Sequence, residues 1–181
     1  MLFNESELRG AYVIELEPHL DERGFFARTF CEHEFAARGL PVRFPQCNLS
    51  RNTKRGTLRG MHYEAPPSSE SKLVRCVAGA IQDVIIDLRP NSATLLNWLS
   101  VQLSAHNGRA LFVPGGFAHG FITLSNDTDV LYHMGDFFQP GGARGLRWND
   151  PRFGITWPLE PSVISERDAN YPDFDPSTLG A

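Results

Sequence analysis

What this chain has little of narrows what it can do. Its three cysteines, Cys31, Cys47 and Cys76, are widely spaced and odd in number. That argues against a disulfide framework or a CxxC metal site and fits a reducing compartment, so a cytoplasmic protein is expected. No apolar run approaches the roughly 18 residues of a membrane-spanning helix, and the opening MLFNESELRG lacks the basic leader and apolar core of a signal peptide. No membrane partner is expected. Excess positive charge is also missing: the net charge is −4 over 181 residues and no basic stripe appears, which disfavours nucleic acid. No GxGxxG fingerprint opens a strand-to-helix turn, so no redox dinucleotide is implied. Repeats, low-complexity tracts and linkers are absent too, and one domain over 1–181 is expected.

Helical periodicity is scarce. One helix is expected at Glu32 to Arg38, stopped by Gly39 and by Pro41 beyond it. An early hairpin is expected between Ala11–Leu16 and Phe25-Phe26, turning at Asp21-Glu22-Arg23-Gly24. After the helix the chain reads almost wholly as short strands: Gln46 to Ser50, Thr57 to Tyr63, Lys72 to Ala78, Ile81 to Leu88, Leu96 to Leu103, Leu111 to Val113, Ala118 to Leu124 and Val130 to Met134. Their spacing is that of a sandwich or barrel, and no helices alternate with them as a parallel sheet requires. The segment from about 141 to 181 reads as loop-rich packing over that barrel, with a short polar stretch at Ser165-Glu166-Arg167-Asp168.

Polar residues recur at alternate strand positions. Gln46, Asn48 and Ser50 share one face of their strand, His62 and Glu64 share a side with Leu58, and Lys72 shares a side with Val74 and Cys76. Solvent contact explains any one such face; several together fit a barrel whose interior is a ligand cavity. Asp83 and Asp87 interrupt an apolar strand on the side of Ile81 and Ile85, and an inward Asp83 needs a histidine, an arginine or a polar cavity beside it.

Two glycine-rich runs hold the histidines that need explaining. GTLRGMHYE at 56–64 carries His62, and PGGFAHGF at 114–121 carries His119. Their spacing resembles the two motifs of the cupin superfamily, which implies an all-β, jelly-roll barrel with one or a few short helices. The metal that many cupins hold follows less readily, because the position of the usual second histidine is Glu64 and the later glutamate has no match. A metal site of His62, Glu64 and His119, serving an isomerase or oxygenase, is the alternative reading. The other is metal-free proton transfer: a histidine oriented by Asp168 or Asp83 as base, with Tyr132 as a donor on the opposite side. In that reading Lys72 steadies an enolate oxygen and Arg59 a phosphate.

RGFF at 23–26, QCNLS at 46–50, RGMHYE at 59–64, KLVR at 72–75, DVIIDLR at 83–89, PGGFAHGF, Tyr132 and RWNDP at 147–151 occur in that order. From about Gly10 to Pro172 the chain closely resembles the dTDP-4-dehydrorhamnose 3,5-epimerase family. The resemblance implies inversion of C3, C5 or both in a nucleotide-linked 4-keto-6-deoxyhexose, without a cofactor. It implies His62 as general base oriented by Asp168, Tyr132 as opposing acid, and Lys72 at the 4-keto oxygen. It adds His119 and Asp83 as further site residues and assigns Arg59, Gln46 and Asn48 to the nucleotide diphosphate. Arg23 and Phe26 match residues that reach a neighbouring subunit's site, so a homodimer exchanging strands within about 10–30 is implied.

Three departures from the family pattern stand out. Arg28 replaces a common glutamate, Glu64 replaces a common glutamine, and Phe137 and Phe138 replace paired tyrosines. Phe138 keeps an aromatic platform for a base but not the hydroxyl. Strict alternation sets Arg59 and His62 on opposite faces, so sharing a site requires a bulge, expected at Gly60.

Overall fold

The computed structural model describes residues 1–65 and 70–177. In chain order its elements are β1 (Leu2–Glu5), β2 (Tyr12–Glu15), β3 (His19–Asp21), β4 (Gly24–Phe26), α1 (Glu32–Ala36), β5 (Gln46–Asn52), β6 (Thr57–Glu64), β7 (Lys72–Ala78) and β8 (Ala80–Asp87). There follow β9 (Trp98–Ser104), β10 (Ala110–Val113), β11 (Phe117–Thr123), β12 (Thr128–Met134), β13 (Ala143–Gly145), β14 (Val163–Ile164) and α2 (Glu166–Ala169). They form two large sheets, ordered β1-β2-β10-β7-β12-β5 and β13-β6-β11-β8-β9, with β14 added in parallel to β6, and a separate two-stranded sheet of β3 and β4. This is the expected jelly-roll barrel.

The sequence explains the layers. Along β8, Ile81 and Ile85 point between the sheets, joining Val74, Cys76, Leu111, Phe117, Phe121 and Val130, while Val84 and Ile86 point outward. A strand that is apolar on both faces must be covered on both. The outer cover is the carboxyl-terminal segment, whose Leu146, Phe153 and Phe174 pack on Met61, Val84 and Ile86. Behind the other sheet, Phe35 of α1 packs with Phe3, Phe30, Phe44 and Phe112. The α1 stop expected at Gly39 is present: Gly39 has φ of +68°, and its N–H donates to the Ala36 carbonyl.

The amino-terminal hairpin differs from expectation. Tyr12–Glu15 does not pair with Phe25-Phe26; it joins the first sheet between β1 and β10, burying Ile14 completely. The hairpin is β3 with β4, closed by Glu22-Arg23 with Asp21 opposite Gly24. A two-residue turn pairs its immediate neighbours, Asp21 and Gly24, and Gly24 leaves the turn with φ of +124°, a conformation that glycine adopts freely. The edge strand β1 was not legible because three of its four residues, Leu2, Asn4 and Glu5, are exposed and show no two-residue alternation. Residues 178–181 of the loop-rich tail lie outside the described residues; Leu146, Phe153 and Phe174 from the part before them pack on the second sheet.

Candidate active site

One end of the space between the sheets is polar and open, a cavity of about 350 Å³ lined by both walls. The first sheet contributes Gln46, Asn48 and Ser50 from β5, Lys72 from β7, and Tyr132 and Met134 from β12. The second contributes Arg59, His62 and Glu64 from β6, His119 and Phe121 from β11, and Ala143 from β13. Phe138, Tyr63, Glu70 and Arg167 complete the lining.

The bulge that places Arg59 beside His62 is present. His119 of β11 pairs with His62, but Phe121, two residues on, pairs with Arg59, three residues back. The extra residue lies in β6 at Gly60-Met61, where Gly60 has φ of +128°. A Cβ at Gly60 would stand 2.5 Å from the Gly120 Cα and 3.0 Å from the His119 carbonyl oxygen. Two glycines therefore let the strands close on each other at the site. The bulge corrects one expectation: it moves Leu58, fully buried opposite Ile122, off the side that carries His62 and Glu64.

His62 stands on a support reached from the far end of the chain. Its Nε2 lies 2.9 Å from Oδ1 of Asp168, and the other oxygen of Asp168 accepts the Gly60 N–H at 3.1 Å. Asp168 sits in α2, where its own N–H donates to the Ser165 cap at 3.1 Å. Burial raises the Asp168 pKa, but the His62 hydrogen bond and charge, with the Gly60 and Ser165 contacts, outweigh it and hold the carboxyl below the usual range. The side of His62 stacks edge-on to Tyr171, with centroids 6.0 Å apart. Tyr171 and Arg167 were not legible as site residues; the hydroxyl of Tyr171 accepts from Arg167 Nε at 2.5 Å.

A second dyad lies deeper. His119 Nε2 is 2.7 Å from Oδ1 of Asp83, which is wholly buried and supplies the partner its inward position demanded. Burial pushes the Asp83 carboxyl above the usual range, and the His119 charge and hydrogen bond oppose that shift. The His119 ring meets Tyr132 edge-on at 6.0 Å. Burial first, then the Asp83 charge, raises the Tyr132 phenol well above the usual tyrosine range against the pull of Arg59. The Tyr132 hydroxyl is therefore held in its neutral form.

Lys72 is ion-paired with Glu70. Arg59 Nε donates to Asn52 Oδ1 at 2.8 Å, which fixes the guanidinium at the cavity wall. Gln46 Oε1 accepts from the Phe138 N–H and so ties the aromatic loop to β5. Ser50 and Met134 were legible in part, because each is in two-residue phase with an expected site residue.

Arg23 and Phe26 are not brought into this cavity. Both lie on the β3–β4 hairpin, which forms its own two-stranded sheet. Arg23 pairs with Asp21, and Phe26 is 77% exposed beside Phe25 and Leu20. The metal arrangement is not formed either: His62 and His119 each direct Nε2 to an aspartate, and among the described residues no group of three His, Cys, Asp or Glu is placed to hold an ion.

A family model described as dTDP-4-dehydrorhamnose 3,5-epimerase matches residues 5–176. The enzyme of that name from Methanothermobacter thermautotrophicus is 45% identical over 172 residues, covering 93% of this chain and 92% of that protein. The crystal structure of dTDP-4-dehydrorhamnose 3,5-epimerase from Bacillus anthracis, with TDP and PPi bound, superposes with a TM-score of 0.92 at 36% identity over 96% of this chain and 99% of that one. The dTDP-6-deoxy-D-glucose-3,5-epimerase of Legionella pneumophila, in complex with dTDP-4-keto-L-rhamnose, superposes with a TM-score of 0.90 at 35% identity over 98% and 96% of the two chains. On this agreement of sequence, fold and coverage, the chain belongs to the dTDP-4-dehydrorhamnose 3,5-epimerase family.

Proposed function

We propose that this protein inverts C3, C5 or both in a dTDP-linked 4-keto-6-deoxyhexose, by proton abstraction and return, as a step of deoxysugar biosynthesis. The observation that carries the reading is the placement of a His–Asp dyad and a neutral tyrosine on facing walls of one cavity: His62 with Asp168 on the second sheet, Tyr132 on the first.

Ionised Asp168 accepts from His62 Nε2–H, which leaves Nδ1 as the basic nitrogen. A ketone at C4 acidifies the hydrogens on C3 and C5, because loss of either gives an enolate whose charge rests on the keto oxygen. Lys72, on the wall opposite His62, supplies a cation for that oxygen. Tyr132 returns a proton to the face opposite His62, inverting the carbon. His119, backed by Asp83, meets the Tyr132 ring edge-on from the facing sheet and positions it. Arg59, held by Asn52, binds the diphosphate with Gln46 and Asn48, and Phe138 stacks on the base.

The single domain works as a homodimer in which the β3–β4 hairpin, with Arg23 and Phe26, reaches the partner's cavity. Leu20, Phe25 and Phe26, exposed at 79%, 60% and 77%, support this, since an apolar hairpin standing off the body needs a surface to cover it. Because β2 is built into its own sheet, the exchanged part narrows from about 10–30 to 19–26. Three unpaired cysteines fit a cytoplasmic setting.

NMR of a panel of dTDP- and CDP-linked 4-keto-6-deoxy sugars incubated with the protein tests the reading. Inversion at C3 or C5 of a dTDP sugar is expected; unchanged stereochemistry across the panel refutes it.

A further inference from the structure

The cavity holds an acid that the proton-transfer scheme does not use. Glu64 lies two residues beyond His62 on β6, on the same side and about 6.8 Å along the strand. Among the described residues its Oε2 is buried without a hydrogen-bond partner, packed so closely on the β13 approach that a Cβ at Gly142 would meet it at 2.5 Å. The nearest cations are engaged elsewhere: Lys72 pairs with Glu70, and Arg144 donates to the carbonyls of Gly141, Gly142 and Ala143. An anion with one oxygen dry and unpartnered is costly, whereas a neutral acid in the same place leaves only a carbonyl-like oxygen unbonded.

We infer that Glu64 is a sugar-binding residue that works as a neutral acid, its Oε2 facing Gly142 as the carbonyl oxygen and its Oε1–H donating to a sugar oxygen beside the carbon that His62 deprotonates. This rests on the epimerase reading and adds a recognition residue to it. The surrounding charges agree. Burial first and then the Glu70 carboxylate raise the Glu64 pKa, Asp136 adds to them, and Lys72 and Arg144 oppose without cancelling the shift. Arg167 from α2 and His62 from its own strand are the other ionisable groups lining this end. A glutamine here keeps a donor toward the sugar but does not titrate. A glutamate makes binding sensitive to pH: as pH rises through the elevated Glu64 pKa, the donor is replaced by an anion facing a substrate that is itself anionic.

The test compares wild type with Glu64→Gln and Glu64→Leu, measuring KM and kcat for a dTDP-4-keto-6-deoxy sugar across pH. An infrared difference spectrum reads the carboxylic acid directly. Wild-type KM is expected to climb on the alkaline side. Glu64→Gln is expected to stay within about threefold of wild type on the acid side of that climb and to lose the climb itself. Glu64→Leu is expected to raise KM about three- to tenfold, the worth of one neutral hydrogen bond, with a smaller effect on kcat. A protonated-carboxyl band present in wild type on the acid side of that climb and missing in Glu64→Gln supports the assignment. Its absence in wild type, an unaltered climb in Glu64→Gln, or a wild-type KM in Glu64→Leu overturns it. A wild type that leaves C3 and C5 protium in place overturns the epimerase reading instead, and the infrared band still decides the state of Glu64.

Discussion

Gly60→Ala puts the placement of His62 to a quantitative test. The new methyl group would fall 2.5 Å from the Gly120 Cα and 3.0 Å from the His119 carbonyl oxygen, both backbone atoms that cannot rotate away. It would also force an L-residue to φ of +128°. Backbone strain of that kind costs about 1–3 kcal/mol, and overpacking a close-packed contact about 1–3 kcal/mol more. A loss of about 3 kcal/mol or more is expected, which for a domain of this size lowers Tm by about 6–12 °C. The same change displaces the Gly60 N–H that donates to Asp168 and the strand that carries His62, so kcat should fall beyond what the folded fraction explains. Urea unfolding gives the first quantity, and kcat measured well below the new Tm gives the second. A variant within about 1 kcal/mol of wild type with unaltered kcat would refute the claim that the Gly60–Gly120 approach builds the site.

Two further outcomes follow from buried carboxylates. Asp168→Asn keeps the shape but removes the charge that orients His62 and stabilises it once protonated; kcat should drop about 100-fold or more with KM within about threefold, and equal losses in both would show that Asp168 acts on binding. Asp87 is fully buried; burial works to raise its pKa, but hydrogen bonds from Arg89, Ser92 and Thr94 bring it down to about 2. A depressed pKa contributes stability above the ordinary carboxylate value of about 3.9 that is lost as pH falls through about 2, here of order 2–3 kcal/mol. The stability gap between wild type and Asp87→Asn, read by urea unfolding, should be full at pH 7 and shrink below about pH 4; a gap constant with pH contradicts the assignment.

The barrel was legible because its strands from β5 to β12 read as short β-leaning runs at regular spacing, whereas β1, without alternation, did not. The bulge at Gly60 could be argued from parity alone, since Arg59 and His62 cannot otherwise share a face. The Asp83–His119 pair was half legible: an inward carboxylate had to have a partner, but the choice of His119 depends on β8 and β11 lying side by side. Asp168 could not be reached by spacing, as 106 residues separate it from His62. Its role came from the family resemblance. The early hairpin was misread because the turn signal at 21–24 carries no information about how far back its partner strand extends. Tyr171 and Arg167 escaped because a short helix without periodicity gives no sign of which way its neighbours face.

On the proposed mechanism His62 and Tyr132 exchange protons at carbon from facing walls. Turnover of dTDP-4-keto-6-deoxyglucose in deuterated water, followed by NMR at C3 and C5, tests it most directly. Deuterium should enter at C3, C5 or both in wild type and be lost in the His62→Ala, Tyr132→Phe double variant. Product formed with protium retained at both carbons, or full turnover by the double variant, would contradict it.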